Sequence, residues 1–216
     1  ATSMIKIHHL GHSQSERILW LCEELGLPYR LRHHTRDPAT RLSPPELIAL
    51  HPLGAAPLME DGDLLMAESA AIVEYLIGRH GAGRLKPGPE HPDYAAFLYW
   101  FHFANGNLQP TMLRLMAVGR AVANAEHPVL HATRDRFARL MGLMEARLSD
   151  VPWLAGQDFS AADIMNVFSL TTMRLFMPVD LAPYPNIRAY LQRVGERPAY
   201  RRAMAKGDPD LVPLLS

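Results

Sequence analysis

Between Gly81 and Pro92 the chain carries three Gly and three Pro with no apolar periodicity, and the pattern on its two sides differs in kind. Ahead of this stretch, strand-like and helix-like segments alternate. Beyond it, every periodic segment reads as helix. A chain of 216 residues broken in this way is expected to form two modest domains, each able to bury a core. The expected division is an α/β domain over residues 4–80 and an all-helical domain over residues 91–216. Ala1-Thr2-Ser3 ahead of Met4 reads as an expression remnant, not as part of the fold.

Within the first part, Met4–His9 reads as a strand. Ser15–Leu25 reads as a helix, with Ile18, Leu21, Cys22 and Leu25 on one face and Gly26 and Pro28 as its stop. Tyr29–His34 is a second strand and Pro44–Leu50 a short helix. Pro57–Glu60 and Leu64–Met66 flank Asp61-Gly62-Asp63, a hairpin signal, and Glu68–His80 reads as a helix. The order β-α-β, connecting helix, β-β-α predicts a small mixed sheet. In the second part, helices are expected over Tyr94–Val122 (kinked near Gly106 and Pro110), Val129–Leu148, Ala161–Phe176, Ile187–Gly195 and from Pro198.

Lys+Arg and Asp+Glu both number 22, so no net field favours nucleic acid or an anionic membrane as a partner. Basic pairs such as Arg201-Arg202 read as solvated helix faces. No apolar run approaches the roughly 18 residues of a membrane span, and the single cysteine, Cys22, excludes an internal disulfide. That usage fits a reducing cytoplasm. His8-His9 and His33-His34 lie in strand-like segments, where adjacent residues face opposite ways, so neither pair holds one ion and no metal site is expected.

Three constellations carry chemistry. Ser13-Gln-Ser-Glu16-Arg17 follows the first strand. It is either a capping box, with Ser13 and Glu16 closing the helix start, or a hydroxyl beside a helix N-terminus that receives an anion such as a thiolate. His51-Pro-Leu-Gly-Ala-Ala-Pro57 leads into the third strand. Glu68-Ser69-Ala-Ala-Ile72 opens a helix. It reads either as an acidic first turn or as a clamp in which Glu68 accepts an ammonium and Ser69 receives a carboxylate.

Together these segments resemble the glutathione transferase superfamily along essentially the whole chain. Ser13 to Tyr29 is similar to the family's first helix, Pro52 to Gly62 to its cis-proline loop, Glu68 to Ile72 to its γ-glutamyl segment, and Phe159-Ser-Ala-Ala-Asp163-Ile164 to the capping box of its buried sixth helix. Tyr99-Trp-Phe-His-Phe-Ala-Asn-Gly106 is similar to the serine-type bacterial and fungal subgroup.

The resemblance implies a thioredoxin-like first domain and a helical second one. It also implies a homodimer built on the third and fourth helices, and glutathione as co-substrate with no prosthetic group. The implied reaction is conjugation of the glutathione thiolate to small hydrophobic electrophiles, a detoxifying chemistry. Ser13 falls at the catalytic position. Pro57 would be cis, letting the Ala56 backbone pair with the cysteinyl part of glutathione, while Glu68 and Ser69 hold the γ-glutamyl group. The family often has Lys or Gln where this chain has Ala55, so the cation for the glycyl carboxylate is expected from Arg41 or His51. Phe103, Asn107, Met173 and Phe176 are candidates for the electrophile pocket, although Met and Phe at helical spacing are more often core. A non-catalytic module of the same fold and a glutathione-dependent peroxidase or dehalogenase stay open. Disulfide exchange through an enzyme cysteine would need Cys near Ser13 or Ser15, and neither position offers one.

Overall fold

The computed structural model describes residues 4–216, so Ala1–Ser3, read above as an expression remnant, lie outside the described residues. In chain order the first elements are β1 (Ile5–Leu10), α1 (Glu16–Leu25), β2 (Tyr29–His34), α2 (Pro45–Ile48), β3 (Leu58–Asp61), β4 (Leu64–Met66) and α3 (Ser69–Arg79). They are followed by α4 (Tyr94–Phe103), α5 (Gln109–Ala121), α6 (Pro128–Asp150), α7 (Ala161–Leu170), α8 (Pro185–Glu196) and α9 (Pro198–Gly207). Two compact units result: the chain up to Arg84 together with Gly195–Pro213, and Leu85–Val194 together with Leu214–Ser216.

The first unit is built on a four-stranded sheet in the order β2-β1-β3-β4. β2 runs parallel to β1, β3 antiparallel to it, and β4 closes a hairpin in which Asp61 faces Leu64. Parallel neighbours need a crossover, and α1 supplies it. Its Ile18, Leu19, Leu21 and Cys22 are fully buried, as are Ile72, Val73 and Leu76 of α3. Each such aliphatic side chain contributes about 1.5–3 kcal/mol of burial. α1 ends at Gly26, whose φ of 65° is left-handed, and the Leu27 N–H then reaches the Cys22 carbonyl at 2.9 Å. Only glycine adopts that turn without steric cost.

α9 also belongs to this unit, a correction to the expected helical domain running to residue 216. It packs along α1, with the Trp20 and Tyr200 rings edge to face at 4.9 Å. Arg197 grips Glu24 at 2.6 and 2.9 Å, and Arg202 (2.9 Å) and Lys206 both hold Glu23. Burial pushes the Glu23 carboxyl up, but hydrogen bonds from Lys206, Arg202 and Tyr29 outweigh it and leave the group below its ordinary range. Arg202 is therefore a partner of α1 as well as a half-exposed surface cation.

The second unit is helical. Tyr94 to Ala121 forms one column interrupted by a π turn at 104–108, where the Gln109 N–H reaches back to the Ala104 carbonyl. Pro110 has no N–H to give, so the widened turn falls where the ladder would be broken in any case. α7 is buried at every position and opens with a reciprocal capping box between Ser160 and Asp163. The helix expected to reach Phe176 stops at Leu170. Thr171 leaves the helical region at φ −124°, ψ −96°, and a 3-10 turn follows over Thr172–Leu175. Among the described residues, no helix is long and apolar enough to cross a membrane.

Candidate active site

The turn from β1 into α1 carries two hydroxyls. α1 begins at Glu16, with Ser15 as its N-cap and no side-chain cap bond, so the Ser13–Glu16 capping box does not form. The Ser13 Oγ instead accepts the Ser15 N–H at 3.2 Å and lies 2.6 Å from the Ser15 Oγ. Ser13 is 6 % exposed, while Ser15 is fully buried. Behind them, His9 Nδ1 is 2.7 Å from the Ser15 Oγ, and His9 Nε2 is 3.2 Å from the carboxylate of Asp208.

The other two constellations are tied to this turn through Arg17. Its guanidinium is fully buried and donates to the Gln14 Oε1 at 2.8 Å and to the Ser69 Oγ at 3.2 Å. Gln14 in turn donates to the Ala56 carbonyl at 3.4 Å. A hydrogen-bonded chain thus joins Ser69, Arg17, Gln14 and Ala56. Burial lowers the Arg17 pKa to about 10, opposed by the charge of Glu16, and the group stays cationic at neutral pH. The Ala56–Pro57 bond is cis, the form the resemblance implies.

Glu68 lies just outside α3, contrary to its reading as part of the first turn. It sits at φ 73°, ψ 108°, and its carbonyl receives the Ile72 N–H at 2.9 Å. Such a backbone costs a non-glycine residue about 1–3 kcal/mol and is characteristic of binding positions. The effect is to turn the Glu68 side chain outward, exposed, beside the buried Ser69 that begins the helix.

Arg41 is exposed and lines a cleft of about 500 Å³ with Gly11, His12 and Arg36. Arg36 is pinned by the carbonyls of Gly11, His12 and Arg41, at 3.2, 2.9 and 2.9 Å. His51, half-buried, accepts the Leu53 N–H on Nδ1 at 3.1 Å. In the second unit, Phe103 and Met173 are buried, and the Phe103 ring packs 4.8 Å from that of Trp100. Asn107 accepts from Arg136 at 2.8 Å, and Phe176 is half-buried. Neither the cavity lined by Leu85, His91 and Phe159 nor the one lined by Met112, Phe137 and Met141 includes any of those four side chains.

The histidine pairs are brought together across strands. His8 Nδ1 is 2.9 Å from His34 Nε2, and His9 lies beside His33 with ring centroids 5.4 Å apart. His9, His33 and Asp208 come within 4.8 Å of one another, with the donor atoms engaged in hydrogen bonds: His33 Nε2 with the Gly207 carbonyl at 2.9 Å, and His9 with Ser15 and Asp208. The pairing of His9 with His33 was hidden in the sequence by strand register, and Asp208 by a separation of 199 residues. Arg17 lies within the Ser13–Tyr29 segment, but nothing local marks a cation that folds inward.

The Glutathione S-transferase N-terminal domain family matches residues 13–78, and the Glutathione S-transferase C-terminal domain family matches residues 108–198. A solved glutathione S-transferase from Actinobacillus pleuropneumoniae is 32% identical, with 95% of this chain and 93% of that one covered and a TM-score of 0.87. This chain belongs to the glutathione S-transferase superfamily. Among other members, glutathione S-transferase 3 of Schizosaccharomyces pombe is 29% identical over 99% of this chain and 92% of its own length. Glutathione S-transferase GstB of Escherichia coli is 28% identical over 88% and 91%. A glutathione transferase of Phanerochaete chrysosporium, solved with oxidized glutathione, shares the fold at a TM-score of 0.76, with 21% identity and 97% of each chain covered. The thioredoxin-like sheet of the first unit and the helices of the second are those of a glutathione S-transferase.

Proposed function

We infer that this chain is an active glutathione transferase, conjugating the glutathione thiolate to small hydrophobic electrophiles as a homodimer. The observation that carries the reading is the continuity of the site. The Ser13 hydroxyl and the Ser69–Arg17–Gln14–Ala56 chain occupy one end of one unit, and they offer donors for a sulfur and for a γ-glutamyl carboxylate. In this reading Glu68 accepts the ammonium, Ala56 pairs with the cysteinyl backbone beside Pro57, and Arg41 is favoured over His51 for the glycyl carboxylate because it lines the open cleft.

A free thiol of pKa about 8.5 is only about 3% thiolate at neutral pH, and lowering it two units raises that fraction about 25-fold. The less basic sulfur is a poorer nucleophile, and a Brønsted slope near 0.45 removes about eightfold of the gain. Ionisation therefore supplies about threefold net, and the larger share of the rate must come from holding the electrophile against the sulfur.

A non-catalytic module draws its support from Ala55 alone. Chemistry at Cys22 is disfavoured on physical grounds: the thiol is fully buried, and burial, then the charge of Glu23, push its pKa up to about 12 against Lys206. Retention on immobilised glutathione, followed by aryl halide, epoxide, enone and hydroperoxide substrates, tests the reading and separates conjugation from peroxidase or dehalogenase activity. No retention and no turnover would overturn it.

Ser13→Ala is expected to lower kcat/KM about 10- to 100-fold, from the loss of one charge-assisted hydrogen bond. Steady-state kinetics across pH should also show activity appearing later on the alkaline side. A near-neutral result would remove Ser13 from the reaction. For the dimer, sedimentation at micromolar concentration should give a species of twice the 24.2 kDa chain, and a purely monomeric profile rejects that part.

A further inference from the structure

Ser15 is the second hydroxyl of the β1–α1 turn, and the transferase reading gives it no task. Its Oγ nevertheless stands at a junction: it accepts the Leu10 N–H at 3.0 Å, and it lies 2.6 Å from the Ser13 Oγ and 2.7 Å from His9 Nδ1. His9 is fully buried, and its Nε2 meets Asp208 Oδ2 at 3.2 Å, while Asp208 Oδ1 takes the His12 N–H at 2.9 Å. The line from the surface-facing hydroxyl inward is therefore Ser13, Ser15, His9, Asp208.

The approach of Asp208 depends on its neighbour. A Cβ on Gly207 would lie 2.7 Å from the Leu19 side chain and 3.0 Å from His9 Nε2. A glycine there leaves room for the end of α9 beside the His9 ring, and a larger residue would require Leu19 and His9 to shift.

The donors and acceptors give the line a direction. A carboxylate can only accept, so Nε2 of His9 carries a proton and Nδ1 of the neutral ring is the acceptor. Ser15 then donates to Nδ1 at 2.7 Å, with the Leu10 carbonyl at 3.3 Å as its longer second acceptor, and Ser13 donates to Ser15. In this state the Ser13 proton points inward, whereas a thiolate needs it to point outward. One proton added at His9 Nδ1 reverses the bonds from His9 to Ser13, while Nε2 goes on donating to Asp208. His9 then donates to Ser15, Ser15 to Ser13, and Ser13 to the sulfur, with the imidazolium held against Asp208.

We propose that Asp208, His9 and Ser15 form a relay that takes up, through Ser13, the proton lost by the glutathione thiol. The step balances within the site. The S–H bond breaks as its proton passes to the Ser13 Oγ, the Ser13 proton passes to the Ser15 Oγ, and the Ser15 proton forms the new Nδ1–H bond of His9. Both hydroxyls end unchanged, and the sulfur is left with the electron pair. After the sulfur has been alkylated, the proton returns along the same line to solvent. The proposal rests on the transferase reading of Ser13.

The charged and titratable groups facing His9 are few. Asp208 comes from beyond α9, and His33 from β2 sets its ring edge-on at 5.4 Å. His12 stands behind, its Nε2 3.8 Å from Asp208, with Lys206 and Arg36 farther along the same cleft. Burial pushes the Asp208 carboxyl up, but the hydrogen bond and charge of His9, with the amide and charge of His12, outweigh it and hold the carboxyl below its ordinary range. It is thus available as an anion at neutral pH. His9, Asp208 and Ser15 touch no substrate and act as positioning residues, with Ser13 alone at the sulfur.

The test is the ultraviolet absorbance of the bound thiolate, titrated with pH on enzyme saturated with glutathione, in wild type and in Asp208→Asn. Asn keeps an acceptor for the His12 N–H but removes the charge that supports an imidazolium. The midpoint of thiolate formation should rise by about one pH unit, and kcat toward an aryl halide should fall about tenfold at neutral pH and recover at alkaline pH. KM for glutathione should stay within about twofold, a split that a general loss of structure would not produce. If Asp208→Asn does not fold, Ser15→Ala interrupts the line at its middle and is judged by the same midpoint. An unmoved midpoint in a folded variant overturns the relay alone. A wild type that shows no bound thiolate at any pH overturns the transferase reading and the relay with it.

Discussion

Asp163→Ala is expected to destabilise the helical unit by about 3–5 kcal/mol, the cost of removing one member of a fully buried, charge-assisted network. The Asp163 carboxylate accepts from the Leu154 N–H at 3.0 Å, the Ser160 N–H at 2.9 Å and the Tyr190 hydroxyl at 2.8 Å. Alanine leaves two amides and a phenol in an interior that water does not reach. Burial, then the Asp163 charge, hold the Tyr190 phenol well above its ordinary pKa, so it remains a donor throughout. Asp163→Asn should lose less, because its Oδ1 can still serve the Leu154 N–H and the Tyr190 hydroxyl, although its amide must then face the Ser160 N–H. Urea unfolding of the two variants reads the difference. A loss below about 1 kcal/mol in Asp163→Ala would mean that the helix start contributes no more than an exposed cap.

Glu68→Gln should lower glutathione affinity at least about 30-fold while leaving the midpoint of unfolding almost unchanged. Bound glutathione would have to cover the exposed Glu68; a pair buried in that way costs about 2–5 kcal/mol to break from one side, and glutamine keeps the shape without the charge. The left-handed backbone at φ 73° is the same strain for either residue, so stability has no reason to move. Ser69→Ala should cost less affinity, about 1–2 kcal/mol, because the α3 amides still face the carboxylate. It carries a second effect, since the buried Arg17 guanidinium loses its 3.2 Å acceptor. Calorimetric titration of both variants decides the matter, and unchanged affinity in Glu68→Gln would remove the ammonium clamp.

Which parts could be read in advance follows from the range of the interactions. Helix stripes such as Ile72, Val73, Leu76 and Ile77, and the hairpin at Asp61-Gly62-Asp63, are local, and their elements stand within a residue or two of expectation. Ser13 and Glu16 satisfy a capping pattern by spacing, so the sequence leaves that reading open beside the anion-donor one, and only the structure shows the Ser13 hydroxyl turned toward Ser15. The length of α7 was overestimated because Thr171–Phe176 keeps an apolar character after the backbone has left the helix. Two sets of residues had no local mark. Arg17 looks like any basic residue in a helix, yet it folds inward to Ser69. The acidic pair Glu23-Glu24 of α1 and the basic residues of α9 are complementary, but only the fold brings together chain positions more than a hundred and seventy apart.

The return of Gly195–Pro213 to the sheet-containing unit makes that unit discontinuous in sequence, with the helical unit threaded through as an insertion. A cut in the linker near Arg84 therefore yields no complete half. The N-terminal fragment would keep its strands but bare Trp20, Glu23 and Glu24 along α1, and its β1–α1 turn would lack Asp208. During synthesis the same unit stays open at α1 until the last helix has left the ribosome. Completion of the sheet-containing unit therefore waits for the C-terminal segment, whatever the segment in between has done by then.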